Sequence, residues 1–254
     1  MVGGSSPPGP TTYNFISISS SQKNIKNNSS LIFGSTGFTG SLVLSHLKGF
    51  EGPIIAINRK KIEDFDDKIK QVILRDFNFE DLNLPKIDHA YICLGTKLRA
   101  WELLVMSKEK KDIFMKTDFE LIIKAAKKAK SSGAQTISLI SAVGVNEGSL
   151  NTYMDLKGKV ENEIIKLGFK STNFFRPGHL QGKSHTEKWD TLLADFFSKI
   201  LDIFLVGSLC KFKSIEGDIV AKAMVFETKK SKPGVNYFYF NEMIQSLINA
   251  TPSE

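Results

Sequence analysis

Residues 31–40 read LIFGSTGFTG, a short apolar run broken by Gly34, Gly37 and Gly40. Alone the spacing is weak evidence, because any strand-to-helix connection recruits glycine and the chain holds 19 of them. Its neighbours give it meaning. LIF ends a strand, and SLVLSHLK continues as a helix from about 37 to 48. At such a turn the missing side chains let main-chain N–H groups of Gly34, Ser35, Thr36, Gly37, Phe38, Thr39 and Gly40 approach a diphosphate at the helix N-terminus, where the dipole favours negative charge. The pattern is GxxGxxG, wider than the GxGxxG of many dehydrogenases, and favours a different branch of nucleotide-binding folds.

Outward from this turn, short β-branched runs alternate with longer helical patterns. PIIAIN, QVILRD and HAYICLG read as strands, a helix runs from about 110 to 131, and TISLISAVG is a strand. A helix then covers about 153 to 167, and STNFFRPG follows as a strand. Alternation of this kind implies right-handed crossovers and a parallel sheet covered on both faces, a doubly wound α/β fold. Residues 179–254 are less regular, with helical patterns at WDTLLADFFSKILDIFL and GDIVAKAMVFET and a late strand at GVNYFYFN. They read as a small C-terminal cap walling the substrate side of one domain spanning 29–254.

Residues 1–28 are rich in Gly, Ser, Pro and Asn and read as a disordered leader. The leader has no acidic residue, as in transit peptides, but it also lacks arginine and an amphipathic pattern, so a cytoplasmic location is the first reading and an organellar address the second. Lys and Arg outnumber Asp and Glu by 34 to 27, yet no basic cluster is interleaved with stacking aromatics, which argues for a solvated lysine-rich surface and against nucleic acid. Cys93 and Cys210 lie outside any CxxC pattern, and the four histidines have no metal-ligand spacing, so neither a disulfide framework nor a metal is signalled. No apolar run is long enough to cross a bilayer.

After the second strand, where many NAD sites offer an acidic residue to the ribose, this chain has Asn58, Arg59 and Lys60. Cations there attract a 2′-phosphate and point to NADP. After the third strand, Asp76 and Phe77 stand where an adenine could be hydrogen-bonded and edged, or where a helix cap and a core aromatic would sit. Ser141 follows the strand in TISLIS, and Tyr153 and Lys157 are four apart, on one helical face. The order of glycine turn, Ser, then YxxxK, all at carboxyl ends of a parallel sheet, points to one site.

Together GSTGFTG, CLGT, SAVG, YMDLKGKVE and FFRPG resemble the short-chain dehydrogenase/reductase superfamily, and within it the atypical branch of Tat-interacting-protein oxidoreductases. The resemblance covers about 29–240. It implies an NADPH-binding Rossmann domain with Tyr153 as general acid/base, Lys157 lowering the tyrosine pKa while holding the nicotinamide ribose, and Ser141 orienting the substrate oxygen. It places Arg176, Pro177 and Gly178 in the turn beside the nicotinamide, and Cys93, Leu94, Gly95 and Thr96 along the adenine ribose. Two positions depart from the superfamily pattern: Phe33 stands where Thr precedes the first glycine, and Asp118 where an Asn completes the proton relay.

The expected activity is hydride transfer between NADPH and a carbonyl/alcohol substrate. The alternative is an NADPH-binding interaction protein with little turnover. Nucleotide-sugar epimerisation ranks last, because it would need a larger C-terminal domain. Residues 189–206 carry an apolar stripe through Trp189, Leu192, Leu193, Phe196, Phe197, Ile200 and Phe204. That stripe suits a pocket-closing helix first, a protein partner or dimer face second, and a membrane surface last.

Overall fold

The structure, a computed structural model, describes residues 28–62, 66–76, 78–79, 81–95, 109, 119–182 and 205–248. The leader up to residue 27 and most of the 189–206 stripe lie outside the described residues. The strands are β1 (Ser30–Phe33), β2 (Ile54–Asn58), β3 (Ile69–Ile73), β4 (His89–Ile92), β5 (Thr136–Ile140), β6 (Ser171–Phe175), β7 (Leu180–Gln181), β8 (Ile215–Glu216) and β9 (Gly234–Phe238). The helices are α1 (Phe38–Leu47), α2 (Leu121–Ser131), α3 (Thr152–Lys166), α4 (Gly217–Lys230) and α5 (Phe240–Ile248).

Seven strands form one sheet in the order β3-β2-β1-β4-β5-β6-β9, with every neighbouring pair parallel. Helices cover both faces, as the alternating sequence predicts. Val43, Leu44 and Leu47 of α1 share one core with Val220, Ala221 and Met224 of α4. On the opposite face Ile122, Ala125, Ala126 and Ala129 of α2 meet Val160 and Ile164 of α3. Each fully buried Ile, Leu or Phe of these layers contributes roughly 1.5–3 kcal/mol.

The chain leaves β1 toward β2 on one side and reaches β4 on the other. This reversal of strand order opens a crevice at the carboxyl ends of β1 and β4, where doubly wound sheets bind ligands. The glycine turn follows β1 and Cys93 follows β4, and the Cys93 N–H donates to the Phe33 carbonyl at 2.9 Å. The sheet thus brings the two segments together.

Two features differ from the sequence reading. The strand at GVNYFYFN stops at Phe238 and joins β6 as the seventh strand, while α4 packs on α1, so the C-terminal part completes the main layers as well as flanking the crevice. The helix α5 then takes over, because the Glu242 side chain accepts the Tyr239 N–H at 3.1 Å and caps its first turn. Among the described residues no helix is long and apolar enough to cross a membrane, and no group of His, Cys, Asp and Glu could hold a metal ion.

Candidate active site at the sheet switch point

The glycine turn is shaped by close backbone approaches. Gly34 has φ +82°, and a Cβ there would lie 2.7 Å from the Cys93 carbonyl oxygen. A Cβ on Gly40 would lie 2.1 Å from the Gly34 carbonyl oxygen, so α1 can pack this tightly on the turn only without a side chain. Gly37 differs. It is exposed, a Cβ there would meet nothing nearer than 3.4 Å, and it begins α1 without any side-chain cap for the first-turn N–H groups.

Around it, Thr36 is exposed, Thr39 is buried, and Ser35 is turned inward, donating its hydroxyl to Asn58 Oδ1 at 2.7 Å. The Asn58 side chain is buried behind the turn, and its Nδ2 has no partner among the described residues. The Phe38 ring lies against Gly182 and Gly217, where a Cβ would come within 2.6 Å of it. The backbone of Phe38 serves the turn, and its ring ties the turn to the C-terminal part.

Arg59 and Lys60 are exposed at the carboxyl end of β2, and Asp76 is exposed beyond β3. Phe77, Thr96 and Asp118 lie outside the described residues. Among the described residues of this stretch Phe79 is a core aromatic, whose ring meets Phe33 edge-on with centroids 5.4 Å apart. Leu94 is buried under the turn and Gly95 is exposed at its rim. Burial pushes the Cys93 thiol up to about 12, so it stays protonated and offers no thiolate chemistry. A helix N-terminus without a side-chain cap, the room beside the exposed Gly37 and an orphan amide donor fit a dinucleotide. Residues 34–40, Asn58, Arg59, Lys60 and 93–95 are the ones that would hold it.

Further along the carboxyl edge, Asn151 caps α3 by accepting the N–H groups of Tyr153 and Met154. This cap fixes the rotation of the helix. Lys157 is only 5% exposed, and its Nζ lies 5.8 Å from the centre of the Tyr153 ring, so the pair meets as the four-residue spacing predicts. Ser141 sits just past β5, where its N–H donates to the Phe175 carbonyl at 2.7 Å. Its Oγ is 2.5 Å from Glu161 Oε1.

Glu161 is 2% exposed and is gripped from the other side by Arg176, whose Nε lies 3.0 Å from Oε1 and whose Nη2 bonds Oε2. Arg176 Nη1 donates to the Tyr239 hydroxyl at 2.7 Å, and the guanidinium stacks over the Tyr237 ring at 4.3 Å. Burial alone would lower the Arg176 pKa, but the bond and charge of Glu161 outweigh it and raise the value. The Arg176 side chain therefore belongs to a network with Glu161, Tyr239 and Tyr237. Pro177 accepts the Val143 N–H at 2.9 Å, joining the two turns, and Gly178 is needed because a Cβ would lie 2.5 Å from the Phe212 and Lys213 carbonyls. Tyr239 also lines a cavity of about 200 Å³ with Gly207, Lys211, Asn241 and Glu242.

Glu161 and Tyr239 were not among the residues the sequence put forward. The available signal was the placement of Glu161 four residues after Lys157 within YMDLKGKVE, which sets it on the same buried face.

No protein-family model matches the chain. The Kluyveromyces lactis protein FMP52, mitochondrial, is 31% identical over 202 residues, covering 77% of this chain and 87% of that one. The chain belongs to the FMP52 branch and shares the fold of the short-chain dehydrogenase/reductases. Protein HTATIP2 of Rattus norvegicus is 29% identical over 194 residues, covering 72% of this chain and 76% of its own. Solved structures share the fold at low identity. An oxidoreductase of the short-chain dehydrogenase/reductase family from Burkholderia thailandensis has a TM-score of 0.61 at 14% identity, covering 85% of this chain and 92% of that one. Human epimerase family protein SDR39U1 with NADPH has a TM-score of 0.59 at 16% identity, covering 83% and 74%.

Proposed function

We propose that this member of the branch is an NADP-dependent oxidoreductase acting on a carbonyl/alcohol pair through Ser141, Tyr153 and Lys157. The observation that carries the reading is the buried Lys157 ammonium beside the Tyr153 ring, at the same edge of the sheet as the glycine turn. A nicotinamide, when bound, supplies or takes up the hydride. The chain's own part is acid/base and positional. Tyr153 gives a proton to, or takes one from, the substrate oxygen, and Lys157 stands by to stabilise the phenol oxygen when that proton moves. Arg59 and Lys60 face solvent where a 2′-phosphate would arrive, and this favours NADPH over NADH.

Calorimetric titration with NADPH and NADH tests the cofactor. Arg59→Ala should weaken NADPH roughly tenfold to a hundredfold, the worth of one charge-assisted contact, and leave NADH unchanged. Indifference of the wild type to both nucleotides overturns the reading. Tyr153→Phe should lower NADPH consumption with carbonyl substrates by about 10²–10⁴ while the nucleotide still binds. Undiminished turnover would remove the phenol from the mechanism.

The relatives named as mitochondrial support an organellar address for this chain, in keeping with its acid-free first 28 residues. Imaging the full chain with a C-terminal fluorescent tag, with and without those residues, tests it. A diffuse cytosolic signal from the full chain is the contrary result.

A further inference from the structure

Ser141 is expected to hold the substrate oxygen, yet its Oγ already lies 2.5 Å from Glu161 Oε1. The direction of that bond follows from chemistry. A carboxylate forked by Arg176 has only lone pairs to offer on this side, so the hydroxyl must be the donor. A serine carries one hydroxyl proton, and Glu161 holds it. What remains on Oγ is acceptor capacity.

The partners make this a rigid commitment. Glu161 is 2% exposed on α3, Arg176 leaves the end of β6, and Tyr239 follows β9, so three elements fix the carboxylate against the serine. Tyr237 closes the network by stacking on Phe174 with centroids 5.5 Å apart and lying under the guanidinium. The two groups that share the proton, Ser141 and Glu161, are both buried, and a hydrogen-bonded pair held this way keeps its geometry.

A substrate carbonyl oxygen is also an acceptor, and two acceptors form no hydrogen bond. An alcohol brings its own O–H. Resting on the oxidoreductase reading of the site, we propose that Glu161 is a positioning residue that captures the Ser141 proton and makes Ser141 an acceptor toward the crevice. The hydroxyl form of the substrate is then gripped through Ser141, and the carbonyl form only through the Tyr153 hydroxyl. The site favours alcohol over ketone in the ground state, and it does so through a residue that touches neither.

Two measurements test this. The first needs no cofactor: thermal melts of wild type, Ser141→Ala, Glu161→Met, whose side chain leaves Ser141 no strong partner, and the double variant. A held proton predicts that each single change lowers the Tm and that the double falls well short of their sum, by a few degrees. Additive shifts would sink the proposal.

The second uses non-reacting ternary complexes, with 1-phenylethanol titrated onto the NADPH form and acetophenone onto the NADP⁺ form. Ser141→Ala should weaken the alcohol about two- to tenfold, the worth of one neutral hydrogen bond, and leave the ketone unchanged. Glu161→Gln, whose amide can donate to Ser141 and free its hydroxyl, should tighten the ketone. A role for Glu161 in stability alone would move both probes together. Equal weakening of both probes by Ser141→Ala overturns the proposal, since it means the serine donates to the carbonyl. Failure of the wild type to bind either nucleotide marks the failure of the oxidoreductase reading instead, and the melts still decide whether the proton is held.

Discussion

Ser35 donates its hydroxyl to Asn58 at 2.7 Å, with both side chains buried, so the glycine turn is pinned from behind to the end of β2. The bond joins the segment that would carry the diphosphate to the strand whose end would meet the ribose. It also leaves Asn58 Nδ2 without a partner among the described residues, a donor set one bond from the turn.

A prediction follows from the asymmetry between losing one partner and losing both. Asn58→Leu strands the Ser35 hydroxyl in the core and should cost about 1–3 kcal/mol, and Ser35→Ala should cost a similar amount by stranding the amide. The double variant should be nearly as stable as either single one, which denaturant melts of all four proteins can check. In the nucleotide titration Asn58→Leu should lose affinity beyond its loss of stability, because it removes the orphan donor. Additive losses of stability would show that the two side chains are independent.

Gly37 and Gly40 make opposite demands on the same turn. A methyl on Gly40 would lie 2.1 Å from the Gly34 carbonyl, which as backbone cannot move without shifting the turn, so Gly40→Ala should destabilise the protein by about 3 kcal/mol or more. A methyl on Gly37 meets nothing nearer than 3.4 Å and should cost less than about 1 kcal/mol, while standing where a diphosphate must approach. Gly37→Ala should therefore melt near the wild-type temperature and bind nucleotide at least tenfold more weakly. Wild-type affinity in that folded variant would exclude the first turn of α1 as the phosphate site.

Much of this architecture was legible in the chain. The sheet could be read because parallel strands and crossover helices alternate along the sequence, and Tyr153 and Lys157 because a helix carries a four-residue spacing directly into space. Buried polar networks are not written that way. Arg176 in an RPG turn has the same local sequence whether its guanidinium faces a ligand or pairs with Glu161, and its other partner, Tyr239, is 63 residues distant. Asn58 reads in sequence only as the neighbour of Arg59 and Lys60 in a cofactor contact, although the sheet buries it against Ser35. Phe38 occupies a variable position of the glycine pattern, and only the return of the chain at Gly182 and Gly217 shows what its ring meets. The strand β9 was visible as a strand, but its neighbour in the sheet was not, since the pairing of Phe174 with Tyr237 spans the whole C-terminal excursion.

At the opposite end of the sheet, His89 provides a pH-dependent element of stability. Its Nε2 lies 3.1 Å from Asn28 Oδ1, which also accepts from Lys229, so Nε2 carries the proton and Nδ1 is the bare nitrogen. Nδ1 is buried without a partner among the described residues. Burial first, and the Lys229 charge second, push His89 down to about 4, with Asp88 opposing weakly. An unfolded histidine titrates near ~6.5. Between those two values the unfolded chain binds a proton that the folded protein refuses, so stability rises with pH across the window and is lost as pH falls from about 6.5 toward 4. Allowing for partial solvent access, the loss should be on the order of 2 kcal/mol. His89→Gln keeps a donor for Asn28 and cannot titrate. Urea melts at pH 7, 5.5 and 4.5 should therefore show the wild type losing stability faster than the variant, with the gap opening below pH 6.5. Parallel curves would mean that His89 accepts its proton in the folded state and that the Lys229 charge beside it is screened.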